Sequence, residues 1–231
     1  MNRRLSTAFL STLITPSITL GLQVEKVTTK EPPSVDGWVI VEEDVWLMLA
    51  DEADDHFIEA RDSYLAKDNK DAAEELREAA AFLRVEARRT SEKAREELYD
   101  SAKELEKLAT RAERGEIKSV EEMEPVFARA DEALARHYHA KADHYWKTKQ
   151  PQRAGRALEA ATDAIDNSMH WSKQQAESAW DKTKETTRKV TAKLAEGTGW
   201  VAEEVGEALK ATSEELKNLA KKVRTVRDDE K

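Results

Sequence analysis

From Ala73 to Ala109 the chain sets Ala73, Leu76, Ala80, Leu83, Ala87, Ala94, Leu98, Ala102, Leu105 and Ala109 three, four or seven residues apart, with no Gly or Pro before Gly115. That is the period of an amphipathic helix. Unbroken, the stripe predicts one projecting, coiled-coil-like helix of about 40 residues, about 60 Å long at 1.5 Å per residue. Composition points the same way, because 231 residues contain only 7 Gly and 5 Pro while 37% are charged. The expected fold class is all-α, an antiparallel bundle of helical hairpins.

Further helices follow from the same reading. A plausible N-cap at Asp44 precedes Val45, Leu49, Ala53, Phe57, Ala60 and Tyr64, and Lys67-Asp68-Asn69 closes that helix. Gly115 stops the long helix, and Ser119 with Glu122 reads as a capping box for the next, whose first turns Pro125 makes irregular. Pro151 suits the first position of a fourth helix, which runs on through Trp171 and Trp180 towards Leu194. After a break at Gly197-Thr198-Gly199, Val201, Val205, Leu209, Leu216, Leu219 and Val223 share one face of a last helix. Val35 to Val41 reads as a short strand or extended arm.

Shifting the chain by 81 positions lays His56 on His137, Phe57 on Tyr138, Asp62 on Asp143, Tyr64 on Tyr145 and Ala73 on Ala154, which predicts a duplicated αα-hairpin. The stretch Glu59-Ala60-Arg61-Asp62-Ser63-Tyr64-Leu65-Ala66-Lys67-Asp68-Asn69-Lys70-Asp71-Ala72-Ala73-Glu74-Glu75-Leu76 resembles the helical hairpins of the YfdX family. That resemblance covers the two hairpins and implies a secreted bacterial protein associated with stress tolerance and chaperone-like behaviour. The segment Trp180 to Val190, of mixed charge and small residues, is similar to late-embryogenesis-abundant helices, which shield proteins or membranes under stress.

The first residues look like an address. Arg3 and Arg4 precede Leu5 to Leu20, which has no charged residue and is shorter than a membrane span. Residues 1–21 therefore read as a signal peptide, 22–43 as a linker, 44–171 as the duplicated-hairpin bundle and 172–231 as amphipathic C-terminal helices, in a periplasmic or secreted protein. With no Cys, its stability rests on helix packing.

Net charge is −9 and no basic run occurs, which argues against nucleic acid as a partner. No Gly-x-Ser-x-Gly elbow, catalytic Cys or Gly-rich phosphate loop is present, so neither an enzyme nor a bound cofactor is expected. His137 and His144 share a helix face two turns apart and are the candidate metal ligands of an alternative, ligand-binding reading. The favoured reading is a non-enzymatic protein that binds protein partners or clients, or a second copy of itself. Trp171, Trp180, Trp200, Val201, Val205, Leu209 and Leu216 are its candidate contacts, since exposed apolar stripes mark interaction surfaces. A membrane-surface helix, using the same C-terminal aromatics, is the third reading.

Overall fold

A computed structural model describes residues 43–90, 92–173 and 178–228; the signal-like segment and the stretch from Val35 to Val41 lie outside them. Among the described residues there are eight α-helices and no strand: α1 Glu43–Trp46, α2 Glu52–Leu65, α3 Asn69–Arg88, α4 Glu92–Glu113, α5 Glu124–Lys147, α6 Pro151–Trp171, α7 Ser178–Glu196 and α8 Ala202–Asp228. Leu47–Leu49 and Val120–Glu122 form single 3-10 turns. The fold is an all-α bundle.

The long stripe does not make one helix. It breaks after Arg88 and returns as α4, which packs along α3. The reason lies in the gap between Ala87 and Ala94: Thr90 and Ser91 stand where the next apolar residues would fall, and both are weak helix formers. Folding back lets each half bury its apolar face on the other, whereas a projecting helix would leave both wet. The fourth expected helix is likewise two, because α6 stops at Trp171 and Lys173 adopts a left-handed φ of 53°. α7 then packs on α6, and α8 packs on α5, α6 and α7. The C-terminal helices therefore pack within the same unit as the hairpins.

Helix starts and stops mostly follow the expected chemistry. Pro151 opens α6, and Gly115, Gly197 and Gly199 take positive φ at the ends of α4 and α7. The capping box at Ser119 does not form. Glu122 instead accepts from the Lys118 N–H and from Arg111, and α5 begins at Glu124 with Pro125 in its first turn.

Two turns have the same construction. Lys67 and Lys149 are both left-handed (φ 67° and 62°), and the Asp68 N–H bonds to the Ser63 carbonyl as the Gln150 N–H does to that of Tyr145. Both are Schellman motifs. Their offset is 82, one more than the sequence alignment uses. Burial along α3 and α6 fits either offset, so the matching turn geometry is what sets the register at 82. In a helix one residue is 100° of rotation, so His56 and His137 do not occupy equivalent places.

α5 is the central helix and packs on α2, α4, α6 and α8. Its small side chains, among them Ala128, Ala130, Ala133, Ala135 and Ala142, let neighbours approach on several faces. Phe127 stacks on Phe57 of α2 with centroids 4.6 Å apart, and Trp171 meets it edge-on at 5.1 Å.

Close approach also governs α6 and α7. A Cβ on Gly155 would lie 2.6 Å from Leu194 Cβ, 3.1 Å from the Thr191 carbonyl oxygen and 3.2 Å from the Ala195 nitrogen, so backbone would have to move. We expect Gly155→Ala to cost about 1–3 kcal/mol in denaturant unfolding. Gly206→Ala, where a Cβ meets nothing within 4 Å, should gain about 0.5–1 kcal/mol.

Candidate functional site

The apolar stripe of α3 carries one acid. Glu86 follows Leu83 by three residues and precedes Ala87, so the helix turns it inward, and its side chain is wholly buried. On α5, His137 lies between Leu134 and Lys141 and is equally buried. Its Nε2 sits 2.5 Å from Glu86 Oε2, while the Trp46 indole N–H donates to Glu86 Oε1. Lys141 Nζ lies 3.9 Å from the same carboxylate and 2.6 Å from Glu43 Oε1. Arg89 pairs with Glu43 and places its guanidinium 4.4 Å from the centre of the Trp46 ring, which stacks on Phe82 at 6.1 Å. α1 is thus fastened over α3 and α5 by Glu43 and Trp46.

Charge within the cluster balances. Burial alone would push the Glu86 carboxyl up, but the hydrogen bond from His137, the positive charge around it including Lys141, and the Trp46 N–H hold it below the ordinary glutamate range. Burial pushes the His137 imidazole down; the pull of Glu86 does not overcome it, and Lys141 and Arg89 add to it. The ring is therefore neutral, donates from Nε2 and leaves Nδ1 as a bare acceptor, the one ring atom without a partner. An imidazolium there would bury a charged, unsatisfied N–H, for which the desolvation penalty is larger than for a neutral group. Two anions, Glu43 and Glu86, face two cations, Arg89 and Lys141. The Glu86–His137 pair lies out of reach of any substrate in this conformation.

A second group of acids lies between α5 and the start of α2. Asp131 is buried, its Oδ2 has no hydrogen-bond partner, and burial followed by the charges of Asp54 and Asp51 pushes its carboxyl well above the ordinary range. Burial also raises Asp54, which accepts from the Trp171 indole N–H at 2.7 Å, and Asp51. Next to them a groove of about 320 Å³ opens between the first 3-10 turn, α6 and α7, with Leu47, Met48, Ala50, Ala160 and Ala195 as its apolar walls. Asp51, Glu159 and Asp163 also line it, against Arg156. Beside the groove Met48 is 69% exposed, Val45 50% and Leu49 40%.

On the outer face of the first hairpin, His56, Glu59 and Glu75 bring three potential ligand atoms within 4.8 Å of one another. By contrast, the ligand pair expected from the sequence is not assembled. His137 is spent on Glu86, and His144, exposed near the end of α5, has Tyr145 as its ring neighbour. Between them His139 donates from Nε2 to the Leu209 carbonyl at 2.9 Å.

Most of the expected C-terminal contact stripe is not on the surface. Trp171, Trp180, Val205, Leu209 and Leu216 are buried in the chain's own core, Trp200 is partly buried against Trp146, and Val201 alone of the seven is exposed. α7 and α8 use these residues to close the bundle, and Trp180 is fixed by an indole hydrogen bond to Asp166 at 2.7 Å. The same burial removes the apolar face that a surface-lying helix needs, and no described helix is long and apolar enough to cross a membrane. Sequence reasoning missed Glu86. The one signal for it is a lone acid placed among the core positions of a long stripe.

Three pH effects follow. The folded pKa of His137 lies below its unfolded value, so its contribution is present above about pH 6.5 and is lost as pH falls through the folded pKa. Glu86 adds a second loss below about pH 4.5. Thermal unfolding followed across pH should show the first limb flattened in His137→Gln. Asp131 has the opposite sign: its folded pKa is raised, so its contribution is present below about pH 3.8 and is lost as pH rises through the folded pKa. Relative to the native chain, Asp131→Asn should therefore gain melting temperature progressively from pH 4 to pH 8. No protein-family model, no curated protein and no solved structure matches this chain.

Proposed function

We propose that the protein is a non-enzymatic, partner-binding bundle with a stress-protective or scaffolding role in the periplasm or outside the cell. The observation that carries this reading is the groove beside Met48, whose lining mixes apolar side chains with acids. Exposed Val45, Met48 and Leu49 sit on a segment that Glu43 and Trp46 fasten to the bundle, which lowers the entropy cost of presenting this surface to a partner. Around it, Asp51, Asp54, Asp55, Glu159 and Asp163 outnumber Arg156 and Arg188, and Asp51 and Glu159 are both raised in pKa by burial and then by Asp163 among their neighbours. The complementary partner is a basic amphipathic protein segment, with an apolar side chain for the groove and Lys or Arg for its rim. Export is supported by the basic start and uncharged stretch of residues 3–20, and the stress role by the resemblance to the YfdX hairpins.

The test is suppression of aggregation of a basic client, reduced lysozyme, by the full chain, followed by light scattering. We expect suppression at equimolar chain, loss of at least half of it in Met48→Glu, and weakening above about 0.5 M salt, where the Debye length falls below about 5 Å. Equal activity of the native and Met48→Glu chains, or none in either, would sink the reading.

A further inference from the structure

The first hairpin carries a ligand set that neither the polar cluster nor the groove uses. His56 and Glu59 are three residues apart on α2 and share a face; the Schellman turn at Lys67 brings Glu75 of α3 against them. His56 Nδ1 lies 2.7 Å from Glu75 Oε2, and donor atoms of all three residues are within 4.8 Å of one another. His56 Nε2 faces the other way, 3.9 Å from Glu52 Oε1.

We infer that His56, Glu59 and Glu75 form a binding site for one divalent transition-metal ion of the zinc type, with Glu52 as the outer carboxylate behind the histidine.

Three features carry the assignment. The donor set is one imidazole nitrogen and two carboxylate oxygens from two helices, the composition of an open zinc site that leaves a fourth position to water; the imidazole disfavours magnesium and calcium. Secondly, Glu52 stands on the side of the ring to which a ligating histidine gives its remaining N–H, the usual arrangement of carboxylate, histidine and metal. Thirdly, the two carboxyl groups are pressed together on the surface. Both acids converge on one imidazole, Glu75 directly at 2.7 Å, with donor atoms of all three residues within 4.8 Å of one another. Elsewhere on α3 and α4 the interhelical acids have basic partners, as Glu113 has Arg77 and Glu106 has Arg84. A divalent ion held by all three side chains would bridge α2 and α3.

The site belongs to the first hairpin alone. At the offset of 82 the corresponding residues of the second hairpin are Tyr138, Lys141 and Ala157, which include no carboxylate and no imidazole. It is distinct from the pair His137 and His144.

The experiment is titration of the full chain with zinc by calorimetry, and with cobalt(II) by visible absorption, at pH 7.5. We expect one ion per chain, a cobalt d–d band of four- or five-coordinate intensity, and a zinc-dependent rise in melting temperature. Glu59→Gln, at an exposed position, should weaken zinc at least about tenfold, as should His56→Gln, while His144→Gln leaves affinity unchanged. Absence of saturable zinc binding below millimolar concentration would overturn the assignment. So would equal affinity in the native chain and Glu59→Gln, a variant that tests the site even if His56→Gln fails to fold.

Discussion

A carboxylate with no access to water is the constraint around which the first half of this bundle is arranged. An ionised acid buried without partners costs several kcal/mol even after relaxation. Glu86 is placed in that position by the helical period of α3, and two other helices answer it, α5 with His137 and Lys141 and α1 with Trp46, while Arg89 approaches from the end of α3 itself. Since α1 has only four residues, it could not hold helical structure alone in water. Its place on the bundle depends on Glu43 and Trp46 being needed by the charges beneath them. The cluster therefore acts as a positional lock, and its net stabilisation matters less than the single docking geometry it allows.

The surface features depend on that lock. With α1 held down, the following 3-10 turn buries Leu47 and leaves Met48 and Leu49 facing outward, next to the acids of α2 and α6. The closure of the bundle by α7 and α8 has the reverse effect at the other end of the chain. There the tryptophans and the leucine stripe are largely consumed internally, whereas Val45, Met48 and Leu49 near the start of the bundle stay exposed. The hydrophobic effect makes this choice: an amphipathic helix tethered by a five-residue link at Gly197 to Val201 meets its neighbour at far higher effective concentration than any separate partner.

Much of the architecture can be read from residue order. The period of α3, α5, α6 and α8, the stops at Gly115 and Gly197, and Pro151 at the start of α6 all follow from local chemistry, because propensity and capping act within one or two turns. The breaks at Thr90 and Ser172 were harder to read. Neither residue forbids a helix; each marks a weak point at which tertiary packing gains more by folding back than by continuing. Among site residues, His137 was legible as an unusual residue but not in its role, since its partner is 51 positions away. Glu86 and Glu75 looked like any other acid in a charged helix.

What the sequence by itself determined is that the chain is all-α, which face of each helix is apolar, and where the strongest stops lie. The tertiary structure alone decided which apolar faces meet, which of the many acids is buried and neutralised, and which histidine stands beside which carboxylate. The physical reason is range. Helical periodicity and capping are set by neighbours within about four residues, whereas burial and charge pairing depend on distances through space, and a register change of one residue turns a side chain by about 100° from core to solvent.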